Sequence, residues 1–164
     1  MADEITAVWG ILKDLTVLFE NSVKTDLTGA AALPEAGGRQ IGANEMDWPD
    51  GGEQYIRASA SHYFMGDLTL HVRWKSGGTY KGRGLFVQNA SMSVSGSVTH
   101  GATVKVTGHW TESSHNGSAS SPMAYLRGDI SVEMSTSVPF TVHPIDSFVV
   151  FCRGDGAGEI TQQS

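Results

Sequence analysis

The chain of 164 residues contains one cysteine, Cys152. That excludes an intramolecular disulfide framework and a zinc site built from cysteines. No apolar run reaches the ~20 residues that a membrane-crossing helix needs. The residues ahead of Ile5 are acidic, whereas a secretory signal opens with a basic segment and a longer apolar run. Synthesis in the cytoplasm without a signal peptide is expected, with any action outside the cell following release. Basic residues are scarce, 11 Lys and Arg against 17 Asp and Glu, for a formal net charge of −6. That balance opposes binding driven by counterion release, so no nucleic-acid partner is expected. Enzyme signatures are missing as well. There is no His-Glu-x-x-His, no Gly-x-Ser-x-Gly, no P-loop and no dinucleotide fingerprint. A non-enzymatic protein without cofactor, metal or catalytic residues is the expectation.

What is present is glycine, serine and threonine in a chain long enough for one domain with its own core. Twenty glycines favour a turn-rich β-protein. The first two dozen residues are different. Ile5, Val8, Leu12, Leu15 and Phe19 recur at spacings of three and four, with Trp9 widening the stripe. This predicts an amphipathic helix over 1–25. Asp3 and Glu4 would suit its positive end and Lys24 its negative end. Residues 26–52 show no periodicity and carry Gly29, Pro34, Gly37, Gly38, Gly42 and Pro49. They read as a long loop or arm. Trp48, inside that stretch, is expected to plug the edge of the core.

From residue 53 onward the pattern is that of strands. Leu68, Leu70, Val72 and Trp74 alternate with Thr69, His71 and Arg73, the mark of a half-buried strand. Leu85–Val87, Met92–Val98, Ala102–Val106, Ile130–Met134 and the apolar Phe148–Cys152 continue the series. A bulge near Gly108 is expected to bring Trp110 onto the core face. Glu112 to Ser121 reads as a solvated loop. Together these predict an antiparallel β-sandwich or flattened barrel over 53–164, of about eight strands.

Binding features are easier to see than catalytic ones. Tyr63, Phe64 and Met65 are consecutive, so a simple half-buried strand cannot hide all three. Trp74 and Tyr80 bracket a loop carrying Lys75, Lys81 and Arg83. Amphipathic rings beside cations suit a lipid interface, a choline or a carbohydrate. Arg-Gly-Asp occurs at Arg127-Gly128-Asp129 and again at Arg153-Gly154-Asp155. Turns in a glycine-rich β-protein produce such tripeptides by chance, and the alternative is a surface adhesion role.

The segment Tyr55-Ile-Arg-Ala-Ser-Ala-Ser-His-Tyr-Phe-Met-Gly-Asp-Leu-Thr-Leu-His-Val, with Leu85-Phe-Val-Gln-Asn and the ending Phe148-Val-Val-Phe-Cys-Arg-Gly-Asp-Gly-Ala-Gly-Glu-Ile, resembles aegerolysins. The resemblance covers about a third of the chain. It implies a small β-sandwich that binds membrane lipid, in some members as half of a pore-forming pair. Aegerolysins begin with a strand, whereas a helix is expected here. A helix ahead of a sandwich is instead similar to actinoporins, and implies a helix that enters the bilayer.

The expected function is therefore membrane recognition and pore formation of a toxin-like kind. The helix face (Ile5, Val8, Trp9, Leu12, Leu15, Phe19) would insert, while Tyr63, Phe64, Trp74, Lys75, Tyr80, Lys81 and Arg83 meet lipid. The alternative is a self-assembling virion, tail or particle subunit whose helix and arm pack on neighbouring protomers. The partners are membrane lipid or protein, in a homo-oligomer or two-component assembly.

Overall fold

A computed structural model describes residues 4–12, 14–19, 22–62, 66–98, 102–118, 120–137 and 140–163, with side chains over 4–12, 29–59, 68–96, 105–118, 120–133 and 147–162. The protein is mainly β. Its strands are β1 (Ile5–Ile11), β2 (Asp14–Phe19), β3 (Ser22–Ala36), β4 (Arg39–Gln40), β5 (Glu53–His62), β6 (Gly66–Tyr80), β7 (Arg83–Val98), β8 (Ala102–Asn116), β9 (Met123–Ser137), β10 (Phe140–Arg153) and β11 (Gly158–Gln163). All eleven join in one mixed, unclosed sheet. One antiparallel block runs β1-β3-β7-β6-β5, the other β2-β8-β9-β10-β11. A parallel pairing, Leu85 with Met123, links them.

The core follows from alternation. On β6, Leu68, Leu70, Val72 and Trp74 are buried, while Arg73 is exposed and His71 half-buried. On the other block Val106, Trp110, Leu126, Ile130, Val132, Phe148, Val150 and Cys152 are buried in the same cluster. Gly128 sits where a Cβ would come within 3.0 Å of the Trp110 ring, so its missing side chain lets the indole lie flat on β9. Trp110 reaches the core without a bulge at Gly108. The register of β8 against β9 is unbroken from Ala102 to Trp110 and shifts only between Trp110 and Glu112. β8 then continues through Ser113 and His115 to Asn116, opposite Leu126, Ala124 and Met123. The solvated loop expected from Glu112 is therefore strand for its first half.

The N-terminal helix is not there. Ile5–Ile11 pairs with Ala31–Ala36 of β3, and Asp14–Phe19 pairs with Val104–His109 of β8. This stretch is rich in β-branched Ile, Val and Thr, which pack well on a pleat. Val17 falls outside the helical stripe yet shares the strand parity of Leu15 and Phe19 along β2. An isolated helix of this length is marginal in water, whereas each of these strands gains a ladder with a distant strand along one side.

Nor is 26–52 a free arm. Most of β3 lies in it, between β1 and β7, with Ala30 to Leu33 and Ala36 buried. Small residues, not large apolar ones, fill this crowded part of the core, which is why no hydrophobic period marks the strand. A turn at Gly37-Gly38 leads to β4 and the buried Ile41, whose N–H donates to the Pro34 carbonyl at 3.0 Å. A short 3-10 turn, Ala43–Glu45, follows. Trp48 donates to the Ala43 carbonyl at 2.9 Å and packs over Gly78, where a Cβ would meet the ring at 2.4 Å. Trp48 plugs the core edge, as the sequence suggests.

Candidate functional site

The residues of the expected helical face are divided between two strands. On β1, Ile5 is 2% exposed, Val8 and Trp9 are half-buried, and Leu12 just beyond is 43% exposed. The Trp9 indole N–H donates to the Pro34 carbonyl at 2.9 Å. Leu15 and Phe19 belong to β2, with side chains outside the described set, and Tyr63 and Phe64 lie outside the described residues altogether. Trp74 is 2% exposed and Tyr80 6%. The Trp74 N–H donates to the Arg153 carbonyl at 3.1 Å. Both rings serve the core and cannot be offered to a ligand. Lys81 and Arg83 are exposed at the β6–β7 turn, with the Lys81 ammonium 5.7 Å from the Tyr80 ring centre. Lys75 is half-buried on the outer side of β6. Among the described candidates, Lys81 meets the Tyr80 ring, while Trp74 is held in the core.

Two other clusters form instead. The first lies on the outer face of β5, β6 and β7. Tyr55 Oη is 2.6 Å from His71 Nδ1, and His71 Nε2 is 2.8 Å from Ser95 Oγ. The Arg73 guanidinium lies 4.4 Å over the Tyr55 ring. A serine on an imidazole that is itself oriented by a third group is the geometry that activates a hydroxyl. An acyl-transfer site also needs N–H donors aimed at a developing oxyanion. Here β6 is paired on both sides, so its backbone N–H groups are committed to the ladders. The Tyr55–His71–Ser95 hydrogen bonds order side chains on the outer face of β5, β6 and β7.

The second cluster is a cavity of about 380 Å³ on the outer face of β8–β11, lined by Asn116, Tyr125, Phe151, Arg153, Ala157, Gly158 and Glu159. Alternation builds it. Ala124, Leu126, Val150 and Cys152 are buried, so Tyr125, Phe151 and Arg153 take the outward parity. Tyr125 stands opposite Arg153, and Phe151 stands opposite Arg127 and Glu159. Tyr125 and Phe151 are thus diagonal neighbours, a contact that long side chains make across a sheet. Their ring centres are 6.1 Å apart at 60°. Arg153 Nη2 bonds Asp155 Oδ2 at 2.8 Å, and Asp155 Oδ1 accepts the Ala157 N–H at 3.0 Å. Glu159 Oε1 accepts from Thr161 Oγ1 at 2.9 Å. Phe151 reads as core in the apolar run Phe148–Cys152. Its shared parity with Arg153 is the sequence signal that points it outward.

In each Arg-Gly-Asp tripeptide the Arg and Asp side chains are joined to each other. Arg153 is turned onto its own Asp155, and Arg127 onto Asp129 at 3.4 Å inside β9, between β8 and β10. Among the described residues, no three His, Cys, Asp or Glu side chains are grouped to hold a metal ion. Burial pushes the Cys152 thiol far above its usual range, which fits a small apolar core residue.

No family model, curated protein or solved structure matches the chain.

Proposed function

We propose that the protein is a non-enzymatic, membrane-recognising β-sandwich of toxin-like character that meets lipid through one end of its strands. The sandwich reading rests on the shared core, where Leu68, Leu70 and Val94 of one block and Ile130, Val132 and Phe148 of the other line one small void.

The observation that carries the functional reading is the polarity of the two ends. The pairs Ser22 with Ser97, Gly66 with Val98, Phe19 with Val104, Ala102 with Thr136 and Phe140 with Ser137 put four chain connections at one end. In sequence those connections carry or adjoin Phe19, Tyr63-Phe64-Met65, Val98 and Val138-Pro139-Phe140, together with Glu20-Asn21, His62 and Thr99-His100-Gly101. The opposite end turns through Gly37-Gly38, Lys81-Gly82, residues 116–121 and Gly154–Ala157, mostly glycine or polar, with Leu85 exposed beside them. Connections that carry large aromatic and apolar residues in sequence suit the hydrocarbon boundary of a membrane. With a net charge of −6, a zwitterionic surface is favoured over an anionic one.

A pore, on this reading, comes from strands and not from a leading helix. β7 alternates Ser91, Ser93 and Ser95 with Met92 and Val94, and β3 and β6–β10 run 14 to 16 residues, longer than the ~9–11 that a bilayer requires. Strands at the N-terminus also take away the difference from aegerolysins that a helix would have made.

The test is co-sedimentation and dye leakage with phosphatidylcholine–sterol vesicles. Binding that drops about tenfold in Tyr63→Ser and Phe64→Ser variants is the expected result. Failure of the intact chain to bind any vesicle mixture would end the proposal. The assembly reading now depends on the open edges β1, β2, β5 and β11, each paired on one side only. Asp14 on β2, Glu53 and Arg57 on β5 and Glu159 on β11 put charges on three of these edges, which discourages edge pairing, so it is the weaker of the two.

A further inference from the structure

We propose that the cavity beside Tyr125 and Phe151 is a binding site for a neutral saccharide ring.

Its floor is apolar but uncovered. Tyr125 and Phe151 are half-buried and meet at 60°, leaving ring surface that no other part of the described chain occupies. The axial and equatorial C–H groups of a pyranose present a weakly apolar face of the kind that packs on an aromatic ring. A purely hydrophobic ligand would not need what surrounds that floor. Asn116, Arg153 and Glu159 stand exposed around it. Together they supply an amide that both donates and accepts, a guanidinium that only donates and a carboxylate that only accepts. Hydroxyl groups, each donor and acceptor, are the ligand groups that use all three.

Charge separates a neutral sugar from an anionic headgroup. Arg153 is already joined to Asp155 at 2.8 Å, so the site offers no unbalanced cation to draw a phosphate or sulfate. Glu159 is oriented by Thr161 and Asp155 by the Ala157 N–H. These contacts fix the polar rim before any ligand arrives, which lowers the ordering cost of binding. The volume of about 380 Å³ lies at the lower end of the range for small-ligand pockets and suits one or two rings, not a long chain. The scaffold is paired strand on both sides of Tyr125 and Phe151.

The site sits at the polar end of the strands, away from the Tyr63-Phe64 connection, so it does not rest on the membrane reading. The experiment is titration of the full chain with methyl hexosides and disaccharides by calorimetry and amide-resolved NMR, after a neutral-glycan array has chosen the sugar. The expected result is saturable binding with shifts centred on Asn116, Tyr125 and Phe151, a loss of at least tenfold in Phe151→Ala, and retention in Phe151→Trp. Asn116→Ala and Glu159→Gln, both exposed, should weaken binding without changing the thermal midpoint. They keep the test decisive if Phe151→Ala fails to fold. The proposal is overturned if no neutral saccharide binds at millimolar concentration, if binding is indifferent to these substitutions, or if phosphocholine alone binds there. Sugar-free vesicles that still bind the Phe151→Ala variant would leave the membrane reading standing by itself.

Discussion

The Trp74 indole lies directly over Gly158. A Cβ on that glycine would come within 2.2 Å of the ring, and the indole N–H reaches past it to the Arg153 carbonyl at 3.1 Å. This contact ties β6 of one block to β10 and β11 of the other, where the two edges meet. Gly158→Ala is expected to cost about 1–3 kcal/mol, as overpacking of a filled site does. Trp74→Ala should cost roughly 3–5 kcal/mol. Urea unfolding of both variants measures this. A silent Gly158→Ala would mean that the indole does not press on the strand.

The N-terminal strand gives a second prediction. Ile5 is 2% exposed and sits opposite Ala36. Ile5→Ala should therefore lose about 2–4 kcal/mol of stability, and far-UV circular dichroism of the intact chain should lack a helical band. A mobile leading helix would give the reverse, a helical signal with little effect of the substitution on the unfolding midpoint.

A third prediction concerns pH. Arg39 forks onto Glu45 with contacts of 2.7 and 3.0 Å, and the Gly42 N–H adds a third at 2.9 Å. The Arg39 hydrogen bonds first, then Gly42, hold the Glu45 carboxyl at about 2, below its ordinary 4.5. Because the folded value is the lower one, the stabilisation is fully present above the unfolded value and is lost as pH falls from about 4.5 through about 2. Carboxyl-detected NMR titration should find this depressed midpoint, and Arg39→Gln should raise it toward the ordinary value. A native midpoint already at 4.5 would mean that the fork does not form in solution.

Cys152 gives a fourth. Its thiol is fully buried, and burial disfavours the thiolate, the reactive form. A thiol reagent should leave the native chain unlabelled and modify it on unfolding in denaturant, at a rate set by opening. Rapid labelling of the folded protein would place the sulfur at the surface.

Strand alternation could be read directly wherever large apolar residues mark one face, because burial of alternate side chains is a local signature. Leu68 to Trp74 shows this, and the outward turn of His71 and Arg73 comes with it. The parity that sends Phe151 to the surface is equally present in the sequence but hidden by a run of apolar neighbours. The Tyr55–His71–Ser95 contacts join residues 16 and 24 positions apart, and no spacing rule announces them.

By itself, then, the sequence determined a glycine-rich β-protein, the core faces of its well-marked strands and the edge position of Trp48. Only the tertiary structure decided that residues 5–19 form two strands, that the alanine-rich stretch before Gly37 is an inner strand, that Trp74 and Tyr80 belong to the core, and that Tyr125 and Phe151 share a cavity. The reason is that a helix closes its hydrogen bonds within four residues. A strand closes them on partners anywhere in the chain, so the choice between the two rests with residues that a local window never contains.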